Sequence, residues 1–80
     1  IVIDKIMDIY PHQELIKADG FDDALIGIDC QSMRLIYSAK KCIEILMRHT
    51  DEEDARRFYQ EEIASAWFGD KTPIWCEDDF

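Results

Sequence analysis

The chain has 80 residues, and its 18 acids against nine lysines and arginines leave a net charge of −9. A surface this negative is repelled by nucleic acid and by anionic membranes. No apolar run approaches the roughly 20 residues that a bilayer span requires. At 48 % apolar and 11 % aromatic, with three glycines and two prolines, the composition predicts one compact domain rather than disorder.

The chain opens on "IVIDKIMDIY", where Ile3, Ile6, Met7 and Tyr10 recur at three- and four-residue spacing. That pattern predicts a short amphipathic helix ending before Pro11. Pro11 suits the first turn of a second short helix over 11–18, stopped by Asp19-Gly20. "DALIGID" (residues 23–29) and "RLIYS" (residues 34–38) read as two strands joined by a short polar loop, hence an antiparallel hairpin, with Gly27 marking a bulge or a close approach.

Ser38 is placed to cap a helix over 39–49, with Tyr37 stapled onto Cys42. Ala39, Cys42, Ile43, Leu46 and Met47 would form its buried face, and Glu44 with Arg48 an outer i,i+4 pair. Residues 50–69 predict the longest helix. Thr50 and Glu53 would make a capping box, acids crowd the first turn, and Gly69 would end it. Its core stripe would be Ala55, Phe58, Tyr59, Ile63, Ala66 and Trp67. "TPIWC" is a last strand, with Pro73 assigning it to a sheet edge or beginning. The expected fold class is therefore α+β: a small three-stranded antiparallel sheet packed against two main helices, with short N-terminal helices, in a single domain over 1–80.

From "FDDALIGID" through "RLIYSAKKCIEIL" and "DEEDARRFYQEEIASAW" to "GDKTPIW", the chain resembles a group of small proteins encoded in tailed-bacteriophage and prophage genomes. The matching positions are Asp23-Ala24-Leu25-Ile26-Gly27, Tyr37, Lys41-Cys42-Ile43, Trp67, Gly69, Thr72 and Pro73. The first twenty residues lie outside the resemblance. It implies a phage or prophage origin and a compact α+β fold, and it transfers no catalytic residues.

The residues themselves supply no catalytic constellation and call for no cofactor. Cys42 and His49 are seven apart on one predicted helix, about 10 Å along its axis, too far for a thiol–imidazole pair. Cys30, Cys42 and Cys76 are odd in number and lack paired spacing, so a disulfide framework and a zinc site are both unexpected. Reduced, half-buried thiols in a host cytoplasm fit better. "DGFDD" (Asp19–Asp23) lacks the alternating acids and distal glutamate of a calcium loop. Arg34, Lys40, Lys41 and Arg48 form a basic island that reads as a solvated face.

Charge is the remaining signal, and it is uneven. Residues 1–33 carry seven acids and two bases, residues 34–49 four bases and one acid, and residues 50–80 ten acids and three bases. Asp22 and Asp23 at the strand entry, Asp51, Glu52 and Asp54 in a helix first turn, and Glu77, Asp78 and Asp79 after the last strand are the candidate partner-binding acids. Phe68 and Phe80, outside the core stripe, are candidate anchors. Combined with the resemblance to phage-encoded proteins, they predict a non-enzymatic, phage-type interaction protein, monomeric or homodimeric. Its partner would be a basic host protein or ribonucleoprotein complex, which it would block in the manner of an anti-CRISPR or other anti-defence inhibitor, its carboxylates mimicking nucleic acid. Two rival readings are a self-associating phage assembly protein that buries Trp75, Phe68 and Phe80 at a strand edge, and a small metal-dependent factor or enzyme using Asp19–Asp23.

Overall fold

The computed structural model describes residues 1–80. Helix α1 (Val2–Ile9) comes first, followed after an irregular stretch by a 3-10 turn (Asp22–Ala24). Strands β1 (Leu25–Asp29) and β2 (Arg34–Ser38) come next, then helices α2 (Ala39–Leu46) and α3 (Glu52–Phe58). The second of these continues as a π-helical turn (Tyr59–Ile63), and β3 (Ile74–Cys76) closes the order.

The sheet runs β1-β2-β3, with β1 antiparallel and β3 parallel to β2. It is thus α+β as expected, but mixed rather than antiparallel throughout. The reason is the connection: two helices and an irregular return over 64–73 form a crossover that brings β3 back alongside β2 in the same direction. The β1–β2 hairpin is as expected. Its register slips between Leu25 and Gly27, so Gly27 sits at a bulge, and no atom lies near enough to require a glycine for close packing.

Leu35 and Tyr37 alternate onto the helix side of β2, and Trp75 joins them from β3 with its ring 5.3 Å from that of Tyr37. Tyr59 meets Trp75 edge-on at 6.3 Å, and Cys42, Ile43 and Ala55 from the helices pack in the same core. Ile3 and Ile6 of α1 bury against the same core.

Four local expectations change. Residues 11–18 form no helix: the segment is short and mostly exposed, and the Ala18 amide is committed at 2.9 Å to the Tyr37 hydroxyl. Helix α2 ends at Leu46, so Arg48 lies beyond the regular turn and reaches Asp23 at 3.7 Å instead of Glu44, while Met47 is exposed. The cap of α3 is Asp51, whose carboxylate accepts from the Asp54 amide at 2.8 Å, not Thr50. Finally, the Ala64 amide bonds back five residues to the Tyr59 carbonyl at 2.8 Å. The helical stretch then ends at Ile63, not at Gly69, so Trp67 lies four residues beyond it in the irregular return and is 72 % exposed. Phe58 flanks the buried Ala55–Tyr59 line and is exposed too.

Candidate functional site

The C-terminal acids are not a loose tail. Asp78 accepts from the Ser38 hydroxyl at 2.6 Å and from the Lys40 amide at 2.9 Å, while Ser38 itself accepts from the Lys41 amide at 3.0 Å. Two residues thereby satisfy two of the orphan donors that open α2, the Lys40 and Lys41 amides. The Lys40 amide, followed by the Ser38 hydroxyl, holds the Asp78 carboxyl below its usual value. Glu77 accepts from the Tyr59 hydroxyl at 3.2 Å. Burial, then the Glu77 charge, pushes the Tyr59 phenol upward. Asp79 pairs with Arg56, which also holds Glu52 at 2.9 Å. These carboxylates raise the pKa of Arg56, Asp79 more than Glu52.

The eight candidate acids consequently separate into groups. Asp79 joins Glu52 through Arg56, so the closing acids do lie beside α3. Asp51 is an N-cap. Asp54 pairs with Arg57. At about 100° per residue Asp54 and Phe58 fall on the flank of α3 opposite Glu52 and Arg56. Asp22 pairs with Lys17 at 3.4 Å and Asp23 with Arg48 at 3.7 Å. The Arg48 contact lies past the C-terminal end of α2, and Asp78 caps its N-terminal end, about 12 Å away along eight residues. Lysine and arginine are therefore interspersed among the acids, and no single bare ridge runs through all eight.

Exposed acids without an ion pair occur around the chain, Asp8, Glu14, Asp19, Glu44 and Asp70 among them, and three more lie on α3 and its π turn. Glu53, Glu61 and Glu62 are exposed and take part in no ion pair. Glu61 and Glu62, with Asp54, line a hollow of about 340 Å³ floored by Leu46 and Phe58 and closed by His49, Thr50 and Arg57. Three carboxylates face one arginine there. Sequence reasoning placed Phe58 in the core and passed over Glu61 and Glu62. Phe58 lies on the flank of the buried Ala55–Tyr59 line, while Glu61 and Glu62 sit on a π turn that residue spacing does not mark.

A second hollow, about 290 Å³, adjoins through Glu62 and is mostly apolar, with Phe21, Ile63, Phe68, Pro73 and Trp75 among its walls. Phe68 is positioned by its own loop. The Thr72 hydroxyl accepts the Phe68 amide at 2.7 Å and donates to the Gly69 carbonyl at 2.7 Å. Gly69 takes φ +94°, a conformation that suits glycine. Arg34 and Lys71 anchor the same loop through the Thr72 and Ser32 carbonyls at 2.6 and 2.8 Å, which removes Arg34 from the basic island. Phe68 is 60 % exposed, and Phe80 projects freely from the terminus.

Two buried polar atoms lack partners, Trp75 Nε1 and Asp22 Oδ1. Each such orphan costs about 1–3 kcal/mol. The three thiols are unpaired: Cys42 is buried, Cys76 half-buried, and Cys30 exposed in the β1–β2 loop. Burial pushes the Cys42 thiol up to about 12. No group of three or more His, Cys, Asp or Glu converges as a metal site, and no helix is long and apolar enough to cross a membrane. No protein-family model, curated protein or solved structure matches the chain.

Proposed function

We propose that this chain is a non-enzymatic interaction protein whose outer α3 face binds a basic surface of a host nucleic-acid-handling protein or ribonucleoprotein, blocking it as an anti-defence inhibitor of the anti-CRISPR type. The observation that carries the reading is the acidic hollow in which Asp54, paired with Arg57, is joined by the unpaired Glu61 and Glu62, on a chain of net charge −9. Such a face attracts a cationic cleft over a Debye length, about 8–10 Å at physiological salt, and raises the association rate. The phage side of the reading rests on the resemblance of residues 21–75 to phage-encoded proteins.

The arrangement favours a mixed clasp over a copy of a phosphate ladder. Arg56 and Arg57 already hold three of the acids at the surface, Glu52, Asp79 and Asp54. A partner's lysines and arginines would meet Glu53, Glu61 and Glu62 first and compete for the paired carboxylates second. The test is competition: the protein is added to purified bacterial nucleic-acid-handling complexes, CRISPR effectors among them, bound to labelled duplex DNA. Displacement that weakens with salt and is lost in a Glu53→Gln/Glu61→Gln/Glu62→Gln variant supports the reading. Displacement that the variant retains, or none by either protein, contradicts it.

A further inference from the structure

The apolar hollow beside the acidic one has no role in the reading above, yet the two share a wall at Glu62. Its floor and sides are Phe21, Ile63, Phe68 and Trp75, and its rim carries Asp19 and Glu62. The rim is uncompensated. Neither Asp19 nor Glu62 takes part in an ion pair, and Lys17, the one base at the hollow, is held by Asp22 at 3.4 Å. At about 290 Å³ the space falls just below the ~300–1,000 Å³ typical of small-molecule pockets and suits one large side chain.

We propose that this hollow seats a single aromatic or large aliphatic side chain of a protein partner, flanked in that partner by lysine or arginine. The inference rests on the reading above, since the flanking cations would meet Glu62 and Asp19. It adds the apolar anchor that an acidic face alone does not specify. Hot spots at protein interfaces combine such a desolvated anchor with a charged rim. One feature of the walls favours an occupant: the Thr72 clasp fixes the Phe68 backbone at the hollow while the Phe68 side chain stays 60 % exposed. The hollow's negative rim and the chain's −9 charge disfavour a second copy as the occupant.

The experiment is a 15N-resolved NMR titration of the full chain at low salt with three capped tripeptides: acetyl-Lys-Trp-Lys-amide, acetyl-Lys-Ala-Lys-amide and acetyl-Glu-Trp-Glu-amide. The first is expected to shift the Trp75 indole N–H and the Ala66 and Phe68 amides. The second should shift only residues around Asp54 and Glu61, and the third should bind at least about tenfold more weakly, about 1.4 kcal/mol at 25 °C. Phe68→Ala, at an exposed position, should abolish the shifts at Trp75 while leaving those at Glu61. If Lys-Trp-Lys perturbs Glu61 but leaves Trp75 and Phe68 unmoved, the anchor proposal is overturned and the acidic reading stands. If neither hollow responds, both fall. Equal binding of Glu-Trp-Glu overturns the cationic flank, and probe-free shifts at Trp75 that grow with protein concentration overturn the proposal in favour of self-association.

Discussion

Residues 77–79 and residues 61–62 are both short acidic runs, and the fold treats them oppositely. Glu77, Asp78 and Asp79 receive, in order, a phenol, a serine hydroxyl with a main-chain amide, and an arginine. Glu61 and Glu62 receive no ion-pair partner and line two hollows instead. The lesson is that a charge run becomes available for recognition only to the extent that the fold leaves it without donors. By that measure the terminal run is chiefly structural, and the π-turn run is free.

The largest break in this comparison should come from Asp78→Ala. It removes the outer half of the α2 cap and leaves the buried Ser38 hydroxyl without its acceptor, for a loss of roughly 1–2 kcal/mol. In a domain of this size thermal melting should fall by about 4–15 °C. Tyr59→Phe deletes the bond to Glu77 and should cost about 0.5–1.5 kcal/mol, measurable by urea unfolding. By contrast, Glu61→Gln/Glu62→Gln should move stability by no more than about 0.5 kcal/mol, in either direction. An equal loss in both variants would erase the distinction between the two runs.

Titration sharpens it further. Asp78 has a lowered carboxyl pKa in the folded state, so its contribution is complete above the unfolded value of about 3.9 and is lost as pH falls through the folded one. Asp29, lowered chiefly by the Ser32 hydroxyl and then the Gln31 amide, acts in the same direction. Melting temperature should therefore drop below about pH 4, less steeply in Asp78→Asn. At the alkaline end the sign reverses. Cys42 is raised to about 12, so stability present below the unfolded thiol value of about 8.5 should decline as pH climbs towards the folded one. The smallest effect is chemical: Cys30 should react with a thiol reagent at neutral pH while Cys42 stays protected until unfolding, which mass spectrometry of the labelled chain reads directly.

Much of the scaffold was legible because it depends on local chemistry. Ser38 before a helical pattern, Gly27 within a strand pattern and Pro73 opening an edge strand each have a near-neighbour cause, and each appears in the structure. Long-range choices were not legible. The parallel sense of β3 follows from how a crossover returns, and spacing within "TPIWC" does not encode it. The Asp51 cap displaced a plausible capping box one residue earlier. The end of the helical stretch concealed most: it stops with a π turn at Ile63, well short of Gly69, and leaves Trp67 outside the core stripe. The uncompensated acids at Glu61 and Glu62 lie on that same turn and went unread. Of the eight candidate acids, Asp79 and Glu52 meet at Arg56, while the others are held by separate partners. The counter-ions Arg56 and Arg57 were in the same helix, but which carboxylate each would hold is a property of packing.

The most direct measurement is capture from bacterial host lysate at about 50 and 200 mM salt, a range over which phosphate-like contacts weaken steeply, with wild type beside Glu53→Gln/Glu61→Gln/Glu62→Gln. The account predicts that wild type retains a basic nucleic-acid-handling complex at the lower salt, releases it at the higher salt or to added duplex DNA, and that the triple variant retains none. Retention that ignores salt, DNA and the three substitutions alike, or no retained complex at the lower salt, would contradict it.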